Sequence, residues 1–339
     1  MKLELPRWTP HHNMIVYSLL FYSEKNNIDL SIVFNNKIQA NSAILYIKGK
    51  VIFFDYSDDV FFTDNPDQYD FYFKRSLPSL NFFDNVYPLN FQVNFSYKAL
   101  SLLKKLPVRE IINKKNRIEI FRALDYCNSF TNLSHNAMDV RFFPKDVINN
   151  KGKIIFQTRL WNPENHIDFQ EKERRRIQNE FRIEGCRIIK KNFKNVSVGL
   201  FPDNLSLKIA PDILLDVKKT SKKGYFKSLY NSDICIADDG LKDTPGWKIG
   251  EYLLFGKAII STPITVTVEN FSNHVNYEKL STRNAYVELP EKIEYLLAQN
   301  RYLEMGSNNL LWSEMYLHPK NYINRILAII EKKDLEKIQ

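Results

Sequence analysis

The second half of the 339-residue chain alternates strand-like and helix-like segments, and this rhythm constrains the fold more than any other feature. Short apolar runs, among them KIIFQT, VSVGLF, DICIADD and KAIIST, are separated by longer segments with helical spacing. Strands that are joined through helices run parallel, and helices cover both faces of a parallel sheet. The pattern therefore predicts an α/β domain in this half.

The first half is less regular, and it predicts a second α/β domain with a partly irregular sheet. MKLEL is a strand signal, NMIVYSLLFYSEKN has helical spacing with Asn13 as its cap, and several β-rich runs follow. A polar stretch broken by Pro144 and Gly152 marks a boundary near residue 145. We predict an N-terminal domain over 1–145, a second domain over 146–320 and a C-terminal helix over 321–339.

The cysteine content and the hydropathy of the sequence indicate the cellular compartment in which the protein is expected. The three cysteines are odd in number and far apart, which is typical of a reducing compartment without a disulfide framework. No apolar run is long enough to span a membrane, and the N-terminus lacks the apolar core of a signal peptide. The six histidines form no metal-binding spacing. We therefore expect a cytoplasmic protein without a bound metal.

The positive charge is concentrated in one segment. The net charge is +9, and Lys151–Lys227 holds eighteen Lys and Arg against nine Asp and Glu, which accounts for the whole excess. Such a field attracts phosphates, nucleic acid or an anionic membrane. The densest part contains Arg174, Arg175 and Arg176. A solvated helix face on which arginines pair with nearby glutamates explains this run equally well.

The stretch DTPGWKIGEYLLFGKAIIST, residues 243–262, is the most specific motif. Two carboxylates, Asp243 and Glu251, lie eight positions apart, where a predicted strand feeds the N-terminus of a predicted helix. Ligands bind at the carboxyl ends of parallel strands, and a helix N-terminus suits a diphosphate. Gly246 and Gly250 let a ligand approach the backbone, and Glu251 can reach the two vicinal hydroxyls of a ribose. The motif predicts a site for a sugar nucleotide.

This motif resembles the donor-binding domain of GT-B glycosyltransferases, in which two acids eight positions apart precede an apolar strand. The resemblance implies that Glu251 contacts the donor ribose and that Asp243 lies near the donor sugar. It extends to KIIFQTRLW, which resembles the first strand of that domain and places Arg159 at the donor phosphates. The leaving diphosphate would be stabilised by Arg159 and by the start of the motif helix, at Gly246, Trp247 and Lys248.

The resemblance also implies an architecture and an activity. Two Rossmann-like domains would face a cleft, and the closing helices around WSEMYLHPKNYINRIL would cross back to the N-terminal, acceptor-binding domain. The expected reaction is metal-independent transfer of a sugar from a nucleotide-sugar donor to a glycan or lipid-linked acceptor. The resemblance also implies a role in the biosynthesis of a bacterial surface polysaccharide, such as capsule, lipopolysaccharide or O-antigen. The protein would then contact the anionic inner face of the membrane peripherally. No cofactor is expected besides the donor.

Candidates for the remaining roles come from the N-terminal half. His11 and His12 follow the first predicted strand. Inverting members of the GT-B family often hold a catalytic histidine at this position, so the resemblance implies that one of the two is the base. An ordinary polar loop explains the pair as well. Lys74 and Arg75 could bind an anionic acceptor or could be solvated charges at the end of a strand. Asp238-Asp239 precedes Gly240 and is interpreted as a turn rather than a metal site.

Two other functions stay open. A sugar-nucleotide epimerase could use the same scaffold, and it would need acidic and histidine groups around one bound sugar. A basic nucleic-acid-binding protein is the alternative from another class. It is disfavoured because the positive charge lies on one segment without a recognisable recognition module, so no specific nucleic-acid partner is expected.

Overall fold

The computed structural model describes residues 1–81, 83–114, 117, 118, 121, 137–240, 242 and 244–336. The chain forms two compact units. Unit 1 comprises Met1–Phe143, Thr265–Glu269 and Trp312–Gln339, and unit 2 comprises Pro144–Ile264 and Asn270–Leu311. The chain therefore leaves unit 1, returns to it briefly and ends in it.

Unit 1 is built on a six-stranded mixed sheet. Its strands are β1 (Lys2–Leu5), β2 (Ser31–Phe34), β3 (Ser42–Ile47), β4 (Lys50–Asp55), β5 (Phe71–Lys74) and β6 (Val86–Pro88). They lie in the order β2-β1-β3-β4-β5-β6, and of these six strands β3 runs against the others. A separate parallel pair joins β7 (Phe95–Ser96) to β8 (Met138–Asp139).

The reversed strand has a local cause. Lys48 and Gly49 connect β3 to β4 with φ angles of 50° and 73°, and two left-handed turn residues are typical of a tight antiparallel hairpin. The sheet of unit 1 is therefore not wholly parallel, in contrast to a regular Rossmann-like domain. The other five strands still end at one edge, where the loops after β1, β4, β5 and β6 lie.

The helices of this part of the chain are α1 (Asn13–Asn26), α2 (Ala99–Leu103) and α3 (Val108–Ile112). The prediction of a helix over NMIVYSLLFYSEKN is confirmed by α1. Asn13 does not cap it, because Asn13 is already its first helical residue. Its side chain instead accepts a hydrogen bond from Trp8 at 2.7 Å and donates one to Asn94 at 2.8 Å.

Unit 2 is built on a five-stranded parallel sheet. Its strands are β9 (Ile154–Thr158), β10 (Val196–Leu200), β11 (Ile234–Ala237), β12 (Ala258–Ser261) and β13 (Glu278–Lys279). The order β10-β9-β11-β12-β13 places the first strand between the second and the third. Connections therefore leave in opposite directions between β9 and β11, which is the topological switch point at which open α/β sheets bind ligands.

Helices alternate with the strands of unit 2, as the sequence rhythm predicts. They are α4 (Phe169–Asn192), α5 (Asn204–Ile209), α6 (Val217–Thr220), α7 (Lys222–Tyr230), α8 (Trp247–Leu254), α9 (Leu289–Leu297) and α10 (Arg301–Tyr316). The last turn of α10, from Trp312, belongs to unit 1. The core between helices and sheet includes the buried side chains of Phe156, Phe181, Ile236, Ile260 and Leu289. No helix among the described residues is long and apolar enough to cross a membrane.

Two glycines of unit 2 behave differently from one another. Gly256 follows α8 with a left-handed φ of 59°, as expected of a helix stop. A glycine such as Gly185 after a helical pattern predicts a helix stop, but this prediction is wrong here, because α4 continues to Asn192. A Cβ atom at position 185 would lie 3.2 Å from both Leu289 and the Phe156 ring. Gly185 therefore allows close packing inside the helix and does not terminate it.

The last helix, α11 (Pro319–Glu336), belongs to unit 1 and packs against α1. This confirms the prediction that the closing helices return to the N-terminal domain. The predicted class, α/β with parallel strands in both halves, is confirmed as well, with the hairpin of unit 1 as the difference.

Candidate functional site

The candidate site lies in unit 2, at the carboxyl ends of β9 and β11. Arg159 follows β9, Asp238 and Asp239 follow β11, and α8 begins after Gly246. The loop after β11 is pinned by a bridge between Asp239 and Pro245 and by a hydrogen bond from the Gly240 amide to the Thr244 carbonyl. These contacts place the N-terminus of α8 at the switch point of the sheet.

Arginines from α4 neutralise both aspartates after β11. The Arg182 Nε donates to Asp238 at 2.6 Å, and both side chains are almost completely buried. Arg174 Nη1 lies 3.4 Å from the Asp239 carboxylate and donates to the Gly240 carbonyl at 2.7 Å. The two aspartates therefore anchor a loop to a helix. Among the described residues, no group of three or more His, Cys, Asp or Glu side chains could hold a metal ion.

The arginine run of α4 is not one exposed face. The side chain of Arg174 is only 7% exposed, because it binds Glu171 as well as the loop after β11. Arg175 also contacts Glu171, at 3.1 Å, and Arg176 is exposed and pairs with Glu164 and Glu173. The hydrogen bond from Arg174 is the main cause that lowers the pKa of Glu171, to about 2. Arg174 therefore faces neither a membrane nor solvent, so neither interpretation of the arginine run holds for this residue.

Glu251 is a buried carboxylate whose two oxygens have different surroundings. Its side chain is 5% exposed on the second turn of α8, and Oε1 accepts a hydrogen bond from the Lys222 ammonium. Oε2 makes no hydrogen bond of standard geometry with the described residues, and the Tyr225 hydroxyl interacts with the carboxylate through a hydrogen bond of looser geometry. A buried carboxylate oxygen without a well-aligned partner favours a ligand that donates a hydrogen bond to it.

Tyr225, on α7, lies close to this carboxylate. Its hydroxyl is buried, and its hydrogen bond with the Glu251 carboxylate departs from standard geometry. Burial is the main cause that raises the pKa of Tyr225 well above its ordinary value, and the charge of Glu251 raises it further. The phenol therefore stays protonated, and it can donate to a ligand as well as accept from one.

Lys248 links α8 to the end of β9. Its ammonium donates to the carbonyl of Gln157, one residue before the end of the strand. Burial lowers the pKa of Lys248 to about 8, although the negative charges of Asp238 and Glu251 act in the opposite direction. Lys248 is thus mostly protonated at neutral pH, and it places a positive charge at the carboxyl end of the sheet.

The other predicted donor-site residues lie nearby. The Arg159 side chain is exposed, and its guanidinium stacks 3.9 Å above the centre of the Trp161 ring. Gly246 is the residue before α8, and Trp247, the first residue of that helix, is half-buried. The structure therefore brings Arg159, the start of α8 and Glu251 to one edge of the sheet. Asp243 lies outside the described residues.

The two histidines of unit 1 have different surroundings. His12 is completely buried, its Nε2 donates to the Ser42 carbonyl at 3.1 Å, and its Nδ1 accepts from the Thr9 amide at 3.3 Å. Burial lowers the pKa of His12 to about 3, so the ring is neutral and both nitrogens are engaged. This geometry does not favour His12 as a base. His11 is half-buried, and burial, followed by the charge of Arg75, lowers its pKa.

Lys74 and Arg75 are not solvated charges. Lys74 is fully buried and pairs with Asp55 at 3.1 Å, and Arg75 is buried and pairs with Asp58 at 2.6 Å. Burial is the main cause that lowers the pKa of Lys74. The interpretation of this pair as strand-end charges in solvent is wrong, and Lys74 is already engaged within unit 1.

Sequence reasoning missed three residues of the site in unit 2. Lys222, Tyr225 and Arg182 lie in helices whose spacing is predictable, but their partners are far away along the chain. The only local signal was the excess of positive charge between Lys151 and Lys227, which says nothing about pairing.

Comparison with known proteins finds similarity in solved structures alone. No protein-family model and no curated protein matches the chain. The C-terminal domain of a group 1 family glycosyl transferase, LpcC from Francisella tularensis, is 14% identical, with a TM-score of 0.36; the match covers 52% of this chain and 97% of that one. A glycosyltransferase from Rickettsia africae is 10% identical, with a TM-score of 0.39 and coverage of 95% and 81%.

Anabaena HepE, solved in complex with UDP-glucose, is 12% identical, with a TM-score of 0.35 and coverage of 54% of this chain. The chain spans about half, 49%, of the length of that protein. A putative UDP-N-acetylglucosamine 2-epimerase from Listeria monocytogenes is 12% identical, with a TM-score of 0.43 and coverage of 99% and 96%. These identities and TM-scores are low, and they assign no residue and no activity to the chain.

The lowered pKa of Lys248 makes a prediction about stability. The folded chain releases this proton near pH 8, whereas an unfolded lysine holds it to a pKa of 10.5. Between these values the unfolded state binds more protons, so the contribution of this group to stability rises with pH, by up to about 3 kcal/mol. We expect the melting temperature of wild type to rise relative to that of Lys248→Met as the pH is increased from about 7 to 10.

The neighbouring helix supplies a control for this experiment. Lys223 is exposed, so Lys223→Met should differ from wild type by the same amount at every pH. A constant difference for Lys248→Met across the range would contradict the burial of its ammonium.

Proposed function

We propose that the chain is a glycosyltransferase that moves a sugar from a nucleotide-sugar donor to a glycan or lipid-linked acceptor. One observation carries the proposal. Glu251 is a buried carboxylate with one oxygen that makes no hydrogen bond of standard geometry, and it lies on the helix that begins at the switch point of a parallel sheet. Such an oxygen can accept a hydrogen bond from a sugar hydroxyl of a nucleotide. The N-terminus of the helix is a favourable position for the diphosphate.

In this proposal the positive groups at the strand ends bind the leaving diphosphate. The Lys248 ammonium and Arg159 lie at the end of β9, and the N-terminus of α8 adds a partial positive charge there. Positive groups placed where negative charge develops stabilise the transition state of transfer. Asp243 is proposed to act near the donor sugar.

The base that activates an acceptor hydroxyl is proposed to be His11 rather than His12. A neutral imidazole accepts a proton, and the half-buried His11 has a lowered pKa. Both nitrogens of His12 are already engaged within unit 1. Product analysis separates transfer from epimerisation, because transfer releases the nucleotide only when an acceptor is present.

We expect Glu251→Gln to weaken nucleotide-sugar binding. The exchange removes the charge but keeps the size of the side chain, and a hydrogen bond to a charged group contributes about 1.5–3 kcal/mol, or roughly tenfold to a hundredfold in affinity. The measurement is a thermal shift with UDP-, GDP-, CMP- and dTDP-sugars, since a ligand that binds the native state raises the melting temperature.

The exposed Glu180 of α4 provides a matched control, and Glu180→Gln should bind as wild type does. Unchanged donor affinity in well-folded Glu251→Gln would remove the sugar-binding role of this residue.

Turnover of the donor is expected to survive EDTA. In the proposed reaction the diphosphate is held by a helix N-terminus and basic side chains, which replace the role that a divalent cation has in other transferases. Activity is measured as nucleotide release with excess EDTA and then with Mn²⁺ or Mg²⁺ added. Loss in EDTA and recovery with a metal would show that a cation takes part.

We further propose that the acceptor is part of a bacterial surface polysaccharide and that the protein contacts the anionic inner face of the membrane. The support is the excess of positive charge in Lys151–Lys227. Because Arg174 is buried, the proposal rests on the exposed lysines at and just after the end of α4, namely Lys190, Lys191 and Lys194. Each Lys near an anionic surface contributes about 1 kcal/mol.

Replacement of these three lysines with Gln should reduce co-sedimentation with phosphatidylserine vesicles. Salt should do the same, because the screening length falls from about 10 Å at 0.1 M to about 3 Å at 1 M. Lys25→Gln with Lys37→Gln, two exposed lysines of unit 1, is the control. Equal sedimentation with neutral vesicles, or none with anionic ones, would rule out this contact.

A further inference from the structure

The segment that holds α2 and α3 of unit 1 exposes large apolar side chains. Leu100 on α2 and Val108 and Ile112 on α3 are 71%, 71% and 66% exposed. Leu102 and Leu106 of the same segment are buried, so they attach it to unit 1 without help from the exposed residues. Exposed apolar side chains that lie close together and that the core does not use mark a surface for a partner.

The same segment carries an excess of positive charge. Residues 98–114 contain five Lys and Arg against one Glu. Lys98 and Lys105 form ion pairs with carboxylates outside the segment. Lys104 and Lys114 are exposed, and neither forms an ion pair with any residue that the structure describes. Two cations therefore remain beside the exposed apolar side chains for an anionic partner.

We propose that Leu100, Val108 and Ile112 insert into an anionic lipid surface. Val108 and Ile112 are four residues apart on α3, so they lie on the same face of that helix. Lys104 and Lys114 contact the headgroups of the same lipids. Apolar side chains that alternate with lysines are typical of short helices that lie in the plane of the membrane interface.

This surface differs from the lysines after α4 in the force that it uses. The inference deepens the membrane contact proposed above and rests on that part of the proposed function. The lysines after α4 attract a membrane by charge alone, and salt screens this attraction. Side chains that enter the lipid stay out of water at any salt concentration. Binding that persists at high salt is therefore the signature of the apolar surface on unit 1.

The charges favour lipid over two other partners. In a two-fold dimer the same surface meets itself, so Lys104 and Lys114 would face their own copies and repel them. A nucleic acid would pair with the lysines but would leave the three exposed apolar side chains without a partner. An anionic lipid surface satisfies both kinds of side chain at once.

The experiment is co-sedimentation of the full chain with vesicles of phosphatidylcholine, with or without phosphatidylserine. Wild type should bind the anionic vesicles more tightly, and part of this binding should persist when the salt is raised from about 0.1 M to about 1 M. Val108→Asn with Ile112→Asn should weaken the binding at least about tenfold at low salt and remove what persists at high salt, because two aliphatic side chains no longer enter the lipid.

A second variant tests the lysines separately. Lys104→Gln with Lys114→Gln should weaken binding about tenfold at low salt, because each lysine near an anionic surface contributes to the attraction. At 1 M salt, where charges are screened, it should bind as wild type does.

Unit 2 supplies a matched control. Leu207 and Ile209 on α5 are also apolar and are 50% and 48% exposed. Leu207→Asn with Ile209→Asn should therefore bind both kinds of vesicle as wild type does. The melting temperature of each variant, with and without nucleotide sugar, reports whether it folds and whether its donor site is unchanged.

Several outcomes would overturn the inference. Wild-type binding that disappears at 1 M salt would leave the contact to charge alone. Binding that Val108→Asn with Ile112→Asn leaves unchanged, but that replacement of the lysines after α4 removes, would place the contact on unit 2. A dimer that this double variant converts to a monomer in light scattering would make a second copy the partner. Absence of binding to anionic vesicles would contradict the proposed membrane contact as well, whereas sugar transfer is tested separately through Glu251.

Discussion

Arg182 connects the two loops between which the candidate site lies. Its guanidinium donates to the Asp238 carboxylate after β11 and to the Arg159 carbonyl after β9, each at 2.6 Å. Removal of one partner from a buried ion pair costs about 3–5 kcal/mol, because the other charge stays buried and unpaired. Glu251 and Lys248 keep their places at the switch point because this contact fixes the strand ends on either side of it.

Much of unit 2 follows from local pattern. The alternation of apolar strands with helical segments predicts the parallel sheet, and Asp168 marks the start of α4, where its carboxylate accepts a hydrogen bond from the Glu171 amide at 2.7 Å. Gly185 shows the limit of such signals. A glycine inside a helical pattern serves either as a stop or as a point of close packing, and only the positions of Leu289 and Phe156 decide between them.

The candidate site was predictable only where its residues lie close together in the sequence. Glu251 and Lys248 belong to one motif, so their spacing alone places them on a helix that begins at a strand end. The partners of Glu251 and of the aspartates after β11 come from other helices, and pairing between distant residues leaves no local trace. Net charge was equally uninformative, because Arg174 contributes to the excess while its guanidinium is buried among acidic groups.

The return of α11 to unit 1 has a consequence for how the protein is made. Unit 1 contains both α1 and α11, which pack against each other although almost the whole chain separates them. During synthesis on the ribosome, α1 emerges long before its partner. Unit 2 emerges almost complete before that partner exists, so it can fold while unit 1 still lacks one side of its core. Contacts of such long sequence separation form slowly, and the unfinished unit 1 is the form of this protein that is most exposed to chaperones and proteases.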